Sequence, residues 1–375
     1  SFILYNSSPR QSAHFPARGI TGKDKRLRER ARVRAFFGRA LILTFYQPEK
    51  AQKERPIYES ADVIMTSNHT PPCGIELPQV FFDGPTDMEH IRNFAMRAEK
   101  LGYDSLWLQE RIIGDFTMLE PVTLLSYVAA ITTKLRLGTS VILLPLRNPV
   151  QLAKAYSTLD VMSGGRAIMG VGLGGGHLGS HEDVFGYTRE GRVTRFTEAV
   201  QVMKLLWTEP KASFQGRYWN FKDISMEPKP IQKPHLPIIF GGHHENALRR
   251  GVKYADGWMG AGSSSSASFM RESARIRGFL DEAKRDPATF HVAKRVYLAV
   301  DNDKARGEGR IKEWFAKRYK NADLGPKVSI WGSSAECTEK MQELVRAGAQ
   351  QIVFNPMFDE MEHLEICAKE IMPHL

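Results

Sequence analysis

Cysteine is scarce in this chain: Cys73, Cys337 and Cys367 are the only three in 375 residues. A disulfide-framed secreted module is thereby excluded. The three lie too far apart to show metal-ligand spacing, so a reducing cytoplasm is the expected setting and no metal is expected. Long apolar runs are missing too. The longest, Ala40 to Tyr46 and Val141 to Leu146, fall far short of the ~20 residues that a helix needs to cross a bilayer, so no membrane partner is expected. No nucleophile elbow and no P-loop occurs. What is present is ordinary: 42% hydrophobic and 25% charged residues, the composition of a globular chain long enough to bury a sizeable core.

The net charge of +10 invites a nucleic-acid or membrane partner. Its distribution argues otherwise. Residues 1–64 hold 13 Lys/Arg against 6 Asp/Glu, whereas the remaining 311 hold 39 against 36. Most of the excess lies around the Arg-dense stretch Lys23 to Arg39. Residues 1–64 are read as a poorly ordered basic extension, with Met65 a candidate start of the native chain, and 65–375 as one domain. No nucleic-acid partner is expected.

From Ile75 onward strand and helix signals alternate. Glu76 to Phe82 reads as a first strand. A helix opens at Thr86 with the capping-box pattern Thr86-x-x-Glu89 and ends at Gly102. Ser105 to Leu108 is a second strand, Pro121 to Thr133 a helix, and Leu135 to Leu144 a third strand apolar on both faces. Asn148 is the expected N-cap before Pro149, Ser163-Gly164-Gly165 ends that helix, and Arg166 to Leu173 is a strand. A helix from about Arg192, a hairpin near Gly216, and strands at Pro237 to Phe240, Gly257 to Met259, Val292 to Val300 and Gln351 to Asn355 follow, with helices between them. No element is assigned between 301 and 334. About eight strands alternating with about eight helices predict an α/β fold, a (β/α)8 TIM barrel with insertions; a doubly wound open sheet is the alternative.

In a barrel the loops after the strands build the site. This nominates Trp107, Gln109, Glu110 and Arg111; then Thr139, Ser140, Arg147 and Asn148; then Gly170 to His177; then Gly241, Gly242 and His243. Gly170-x-Gly172-x-x-Gly175 matches the dinucleotide fingerprint only literally, because no helix opens at the glycines; Gly172 and Gly174 are read as a flexible loop bordering a cofactor. Phe240-Gly241-Gly242-His243 ends a strand just before a helix. Its backbone N–H groups could meet a phosphate, or the glycines could simply serve a tight turn. His177, His181, His243 and His244 lack the acidic partners that would complete a metal site.

Several stretches in order resemble the bacterial-luciferase-like superfamily: Leu144-Pro-Leu-Arg-Asn-Pro-Val-Gln-Leu-Ala-Lys, Thr158-Leu-Asp-Val-Met-Ser-Gly-Gly-Arg, Trp207-Thr-Glu-Pro, Pro228-Lys-Pro-Ile-Gln-Lys-Pro, Ile239-Phe-Gly-Gly-His and Ala255-Asp-Gly-Trp-Met. The resemblance runs from about Gly74 to the C-terminus. It implies a luciferase-like TIM barrel that binds FMN or coenzyme F420 and acts as an oxidoreductase or monooxygenase on a small, partly apolar substrate. A flavin reductase would be a partner if FMN is used, and a homodimer is the expected assembly. The resemblance also implies a non-prolyl cis peptide on the third strand, at Gly138-Thr139-Ser140-Val141, supporting the cofactor ring, and a phosphate on Gly241, Gly242 and His243. Trp107 is expected near the cofactor. Many members place His where this chain has Arg111. Arginine stays protonated, so Arg111 could clamp an anion and acid–base work would fall to Glu110. A non-catalytic flavin-binding relative is the rival reading.

Overall fold

The computed structural model describes residues 70–174, 183–186 and 189–375. The proposed extension over 1–64, and Gly175, His177 and His181, lie outside the described residues. Eight parallel strands form the core: β1 (Cys73–Glu76), β2 (Ser105–Leu108), β3 (Arg136–Thr139), β4 (Ala167–Gly172), β5 (Ile238–Gly241), β6 (Gly257–Gly260), β7 (His291–Val300) and β8 (Gln351–Pro356). Each pairs with the next in chain order, and β8 pairs back onto β1, with Cys73 opposite Ile352 and Ile75 opposite Phe354. The sheet closes on itself, so the fold is a (β/α)8 TIM barrel and the open-sheet alternative is excluded.

The α-helices of seven or more residues are α1 (Met88–Lys100), α2 (Pro121–Ile131), α3 (Pro149–Ser163), α4 (Arg192–Thr208), α5 (Glu245–Tyr254), α6 (Ser266–Glu282), α7 (Lys304–Tyr319), α8 (Ser334–Arg346) and α9 (Glu360–Ile366). The first of them buries Ile91, Phe94, Ala95 and Ala98, the helical spacing of the sequence. Its N-cap is Asp87, not Thr86: the Asp87 carboxylate accepts from the His90 N–H at 2.9 Å. A charged acceptor also suits the positive end of the helix dipole. Asn148 caps α3 as expected, accepting from Val150 and Gln151.

Other boundaries moved for identifiable reasons. The first strand is Cys73–Glu76, because Pro78 cannot donate to a ladder. Val80–Phe81 instead forms a small antiparallel pair with Thr117–Met118. The Gln79 side chain ties this excursion down, accepting from the Gln109 N–H and donating to the carbonyls of Gln109 and Leu119. The expected third strand is broken after Thr139 by a cis Ser140–Val141 peptide and resumes at Ile142–Leu143 against β4. The unassigned region 301–334 holds α7 and the short strand Ile330–Gly332, which pairs with β7. Its helix was hard to read because charged residues dominate it and few of its residues, among them Ile311 and Phe315, are buried.

Inside the barrel, Trp107, Ile168, Ile239, Met259, Ala293 and Val353 pack together. Trp107 is the largest, 1% exposed, with its indole N–H donated to Ser105 Oγ at 2.8 Å. A Cβ on Gly138 would lie 2.4 Å from its ring, so glycine there makes room for the indole. Among the described residues no helix is long and apolar enough to cross a membrane.

His235, His291 and His363 are buried. His363 is fixed by its surroundings: Nε2 accepts from the Val300 N–H at 2.9 Å while Nδ1 faces the Asp359 carbonyl at 3.1 Å. Burial pushes all three imidazoles below their usual value, His291 to about 3. The unfolded chain takes up these protons below about pH 6.5 and the folded protein does not. Stability present above that pH is therefore expected to decline as the pH falls from about 6.5 toward 3. Thermal midpoints measured between about pH 8 and pH 4.5 should fall, less steeply in His363→Gln. A flat profile would refute this account.

Candidate functional site

Residues from β1 and β7 and from just after β2 and β3 converge at one point. Glu76 ends β1 and is 5% exposed. Its Oε1 accepts from Ser140 Oγ at 2.5 Å and faces Arg295 Nη1, from β7, at 3.3 Å. Its Oε2 accepts from Gln109 Nε2 at 3.2 Å. Arg295 Nη1 also donates to the Ser140 carbonyl at 2.9 Å. Burial pushes the Glu76 carboxyl above its usual range, opposed by the Arg295 charge and the donated hydrogen bonds. A carboxyl in this position can hold or release a proton against a reacting group above it. Two donors here stay buried without a partner, Arg295 Nε and Asn355 Nδ2.

The β3 break sits against β4 and β5. Thr139 points away from the barrel interior: its hydroxyl meets Tyr156 Oη at 2.8 Å and the Gly170 carbonyl at 2.9 Å. Ser140 turns to Glu76. Val141 lies over two glycines, since a Cβ on Gly172 would come 2.7 Å, and one on Gly241 3.1 Å, from its methyl groups. Next to it Gly242 has φ +120°, and a Cβ there would lie 3.1 Å from Ala247. His244 caps α5, accepting from the Asn246 N–H at 3.2 Å. The Trp258 indole N–H pins the turn by donating to the Gly242 carbonyl at 2.7 Å. Gly241, Gly242 and His243 thus form a shallow, side-chain-poor turn at the positive end of a helix. Gly174, with φ +80°, ends the described part of the loop after β4.

The remaining nominated residues are placed differently. Trp107 fills the barrel interior, 1% exposed, among Ile168, Ile239, Met259, Ala293 and Val353. Glu110 is 8% exposed, and both of its oxygens are engaged, Oε1 by an ion pair with Arg147 and Oε2 by the Leu143 N–H at 2.6 Å. Burial pushes this carboxyl up, while Arg147 and the Leu143 N–H pull it down. Its geometry ties the β2 loop to the β3 break. Arg111 is partly exposed; its Nε donates to the Ile113 carbonyl at 3.1 Å and its guanidinium lies 4.7 Å over the Phe116 ring. Asn148 is exposed and its carbonyl oxygen is used by the cap. Among the described residues no group of three or more His, Cys, Asp or Glu is gathered as a metal site would be.

Sequence reasoning missed Glu76, Arg295 and Asn355, and also Arg318, which donates to Gln109 Oε1 at 3.3 Å. A signal for two of them existed: Glu76 and Asn355 stand at the C-terminal ends of β1 and β8, where barrel sites are built. Reading β1 too far downstream hid the first. Arg318 lies in a helix the sequence did not disclose. That helix, α7, brings an aromatic wall to the mouth, with Trp314 at 5.8 Å from Phe82 and 5.3 Å from Tyr297.

Comparison with known proteins bears on the family and the fold. The family profile described as luciferase-like monooxygenase matches residues 65–327. The chain is 30% identical to an F420-dependent glucose-6-phosphate dehydrogenase of Kineococcus radiotolerans, over 76% of this chain and 92% of that protein. It is 28% identical to an FMNH2-dependent dimethylsulfone monooxygenase of Pseudomonas putida, over 48% and 50%. Among solved structures, an F420-dependent secondary alcohol dehydrogenase in complex with an F420-acetone adduct superposes with TM-score 0.70 at 18% identity, covering 81% of this chain and 98% of that one. The coenzyme F420-dependent tetrahydromethanopterin reductase of Methanopyrus kandleri does so with TM-score 0.67 at 22% identity, covering 82% and 99%.

Proposed function

The chain belongs to the luciferase-like monooxygenase family, and from that premise we propose that it is an oxidoreductase that uses F420 to move a hydride to or from a small, partly apolar organic substrate. The observation that carries this reading is the glycine cradle under Val141, formed by Gly172 and Gly241 with the Gly242 turn beside it, next to the buried Glu76 carboxyl. A Cβ at Gly172 would collide with Val141 and one at Gly241 would crowd it, so the glycines let Val141 sit close over β4 and β5 as a platform for a flat ring, and the turn at α5 suits a phosphate. F420 is preferred to FMN because the F420-dependent relative matches over 92% of its length and the FMNH2-dependent one over 50%.

A cofactor of this kind supplies the redox-active ring carbon. The protein's part is to bind, orient and exclude water. Val141 and the backbone of Ser140 seat the ring, Gly241, Gly242 and His243 hold the phosphate, and Glu76 serves as the acid–base group. Glu110 acts as a positioning residue through Arg147 and Leu143. This assignment favours an enzyme over a passive binder, since Glu76 supplies the proton-handling group that Arg111 cannot. Three buried free cysteines suit a cytoplasmic setting. The assembly proposed is a homodimer of the barrel domain 65–375, with a flavin reductase as partner only if FMN replaces F420.

Titration of the full chain with F420 and with FMN, followed by fluorescence, tests the reading. F420 should bind and FMN should bind more weakly. Gly242→Ala, which forces a side chain into a left-handed backbone, should weaken F420 by about tenfold. Tighter FMN binding would select the monooxygenase reading, and binding of neither would end the cofactor proposal.

A further inference from the structure

Arg318, near the end of α7, is 7% exposed. Its partners are meagre for a charged group held away from water. Nη2 donates to Gln109 Oε1 at 3.3 Å and touches Met118 Sδ at 3.9 Å. The guanidinium lies 4.9 Å over Phe116 and 5.5 Å over Tyr319, and Nε has no partner. Among the described residues no carboxylate forms an ion pair with it. Arg295, by contrast, is matched by Glu76 at 3.3 Å.

Gln109, which Arg318 holds, lines a cavity at the barrel mouth together with Glu76, Gln79, Trp314, Asn355 and Met357. Asn355 is 5% exposed and its amide nitrogen is a second unpartnered donor. Glu360 also borders the cavity, but it faces His90 at 3.8 Å. Arg111 shares the Phe116 ring with Arg318, which adds a second positive charge nearby. A buried cation without a counter-charge is costly, and so is a buried donor without an acceptor. An oxyanion would relieve either, since it accepts from a guanidinium and from an amide; Arg318 reaches the cavity through Gln109, which it holds.

We propose that the barrel mouth recognises a substrate bearing an oxyanion, a carboxylate or a phosphate, held by Arg318 with the Asn355 amide. Naming the ligand a substrate rests on the oxidoreductase reading above. The anion clamp that the sequence suggested for Arg111 thus passes to Arg318. The cofactor's own phosphate is a separate matter, because Arg318 lies against the segment after β2, at Gln109, Phe116 and Met118, whereas the glycine turn ends β5.

The test uses the full chain without cofactor, reading tryptophan fluorescence and thermal midpoint. Succinate and glycerol 1-phosphate are titrated beside their neutral counterparts, succinamide and glycerol. At least one anion should bind and the neutral compounds should not; which anion binds distinguishes a carboxylate from a phosphate. Arg318→Gln should weaken that anion by about tenfold or more, as expected for loss of a charge-assisted pair, and leave F420 affinity within about twofold. If R318Q does not fold, Arg318→Lys keeps the charge but loses the planar fork, and should weaken the anion several-fold. Four outcomes would overturn the proposal: no anion binds; the neutral compounds bind equally well; the folded variant keeps full anion affinity; or it loses F420 affinity in parallel. Failure of the wild-type protein to bind F420 or FMN would remove the cofactor reading instead and leave the anion result standing.

Discussion

Glu76→Gln is expected to lower turnover by roughly 10²–10⁴-fold, the range for loss of a positioned acid–base group, while F420 affinity changes only a few-fold. The substitution preserves shape and keeps one acceptor oxygen, enough for Ser140, while its amide nitrogen replaces the oxygen that accepts from Gln109; the Ser140 contact at the β3 break should therefore survive. What it removes is the titrating carboxyl. The discriminating measurement is the pH profile of kcat/KM. Burial places the Glu76 transition above the ordinary carboxyl range, so the wild type should show a limb there that E76Q lacks. The variant also leaves Arg295 without its counter-charge, and breaking a buried pair costs about 3–5 kcal/mol, so kinetics must be measured well below its melting transition. A folded E76Q with undiminished turnover would remove Glu76 from the chemistry.

Gly170→Ala should have the second large effect, on stability first and function as a consequence. A Cβ at Gly170 would lie 1.7 Å from the Thr139 carbonyl oxygen and 2.8 Å from its carbon. The obstacle is backbone, which cannot rotate aside as a side-chain tip can. Either β4 moves or the β3 break moves, and the break carries both Ser140 and Val141. Overpacking of this kind costs on the order of 3 kcal/mol, equivalent to a thermal midpoint lower by roughly 4–6 °C for a domain of about 300 residues. Calorimetry checks the first part and F420 titration the second, since a displaced Val141 would spoil the cradle. An unchanged midpoint would mean that the two strands have slack the structure does not display.

The comparison between sequence and structure divides along physical lines. Helix faces such as Ile91, Phe94, Ala95 and Ala98 were legible because burial of one stripe imposes a 3.6-residue period. The Asn148 cap and the Gly164 stop of α3 were legible because each relies on local backbone chemistry. The helix α7 was not, because it is mostly solvated and its few apolar residues serve the barrel mouth rather than a long shared face. Trp107 shows a different limit. Its position at a strand end suggested a site, but its side chain runs back into the interior, where two glycines and Ser105 accommodate it. Strand ends are readable from sequence; side-chain direction at those ends is not.

By itself, then, the sequence determined an α/β fold of about eight strands alternating with helices, and the β8–β1 pairing decided the barrel over an open sheet. Eight apolar strands alternating with amphipathic helices leave few ways to bury both faces of a parallel sheet, and the run of motifs pointed to the family. Only the tertiary structure decided which polar residues meet at the mouth. Glu76, Ser140 and Arg295 come from β1, from just after β3 and from β7, and the first contact spans 64 residues and the second 219. Local propensity and periodicity act over a few turns of chain. Contacts at such separations exist only because the closed sheet brings its strand ends around one axis, and there each charge acquires the partner, or the lack of one, that gives it a function.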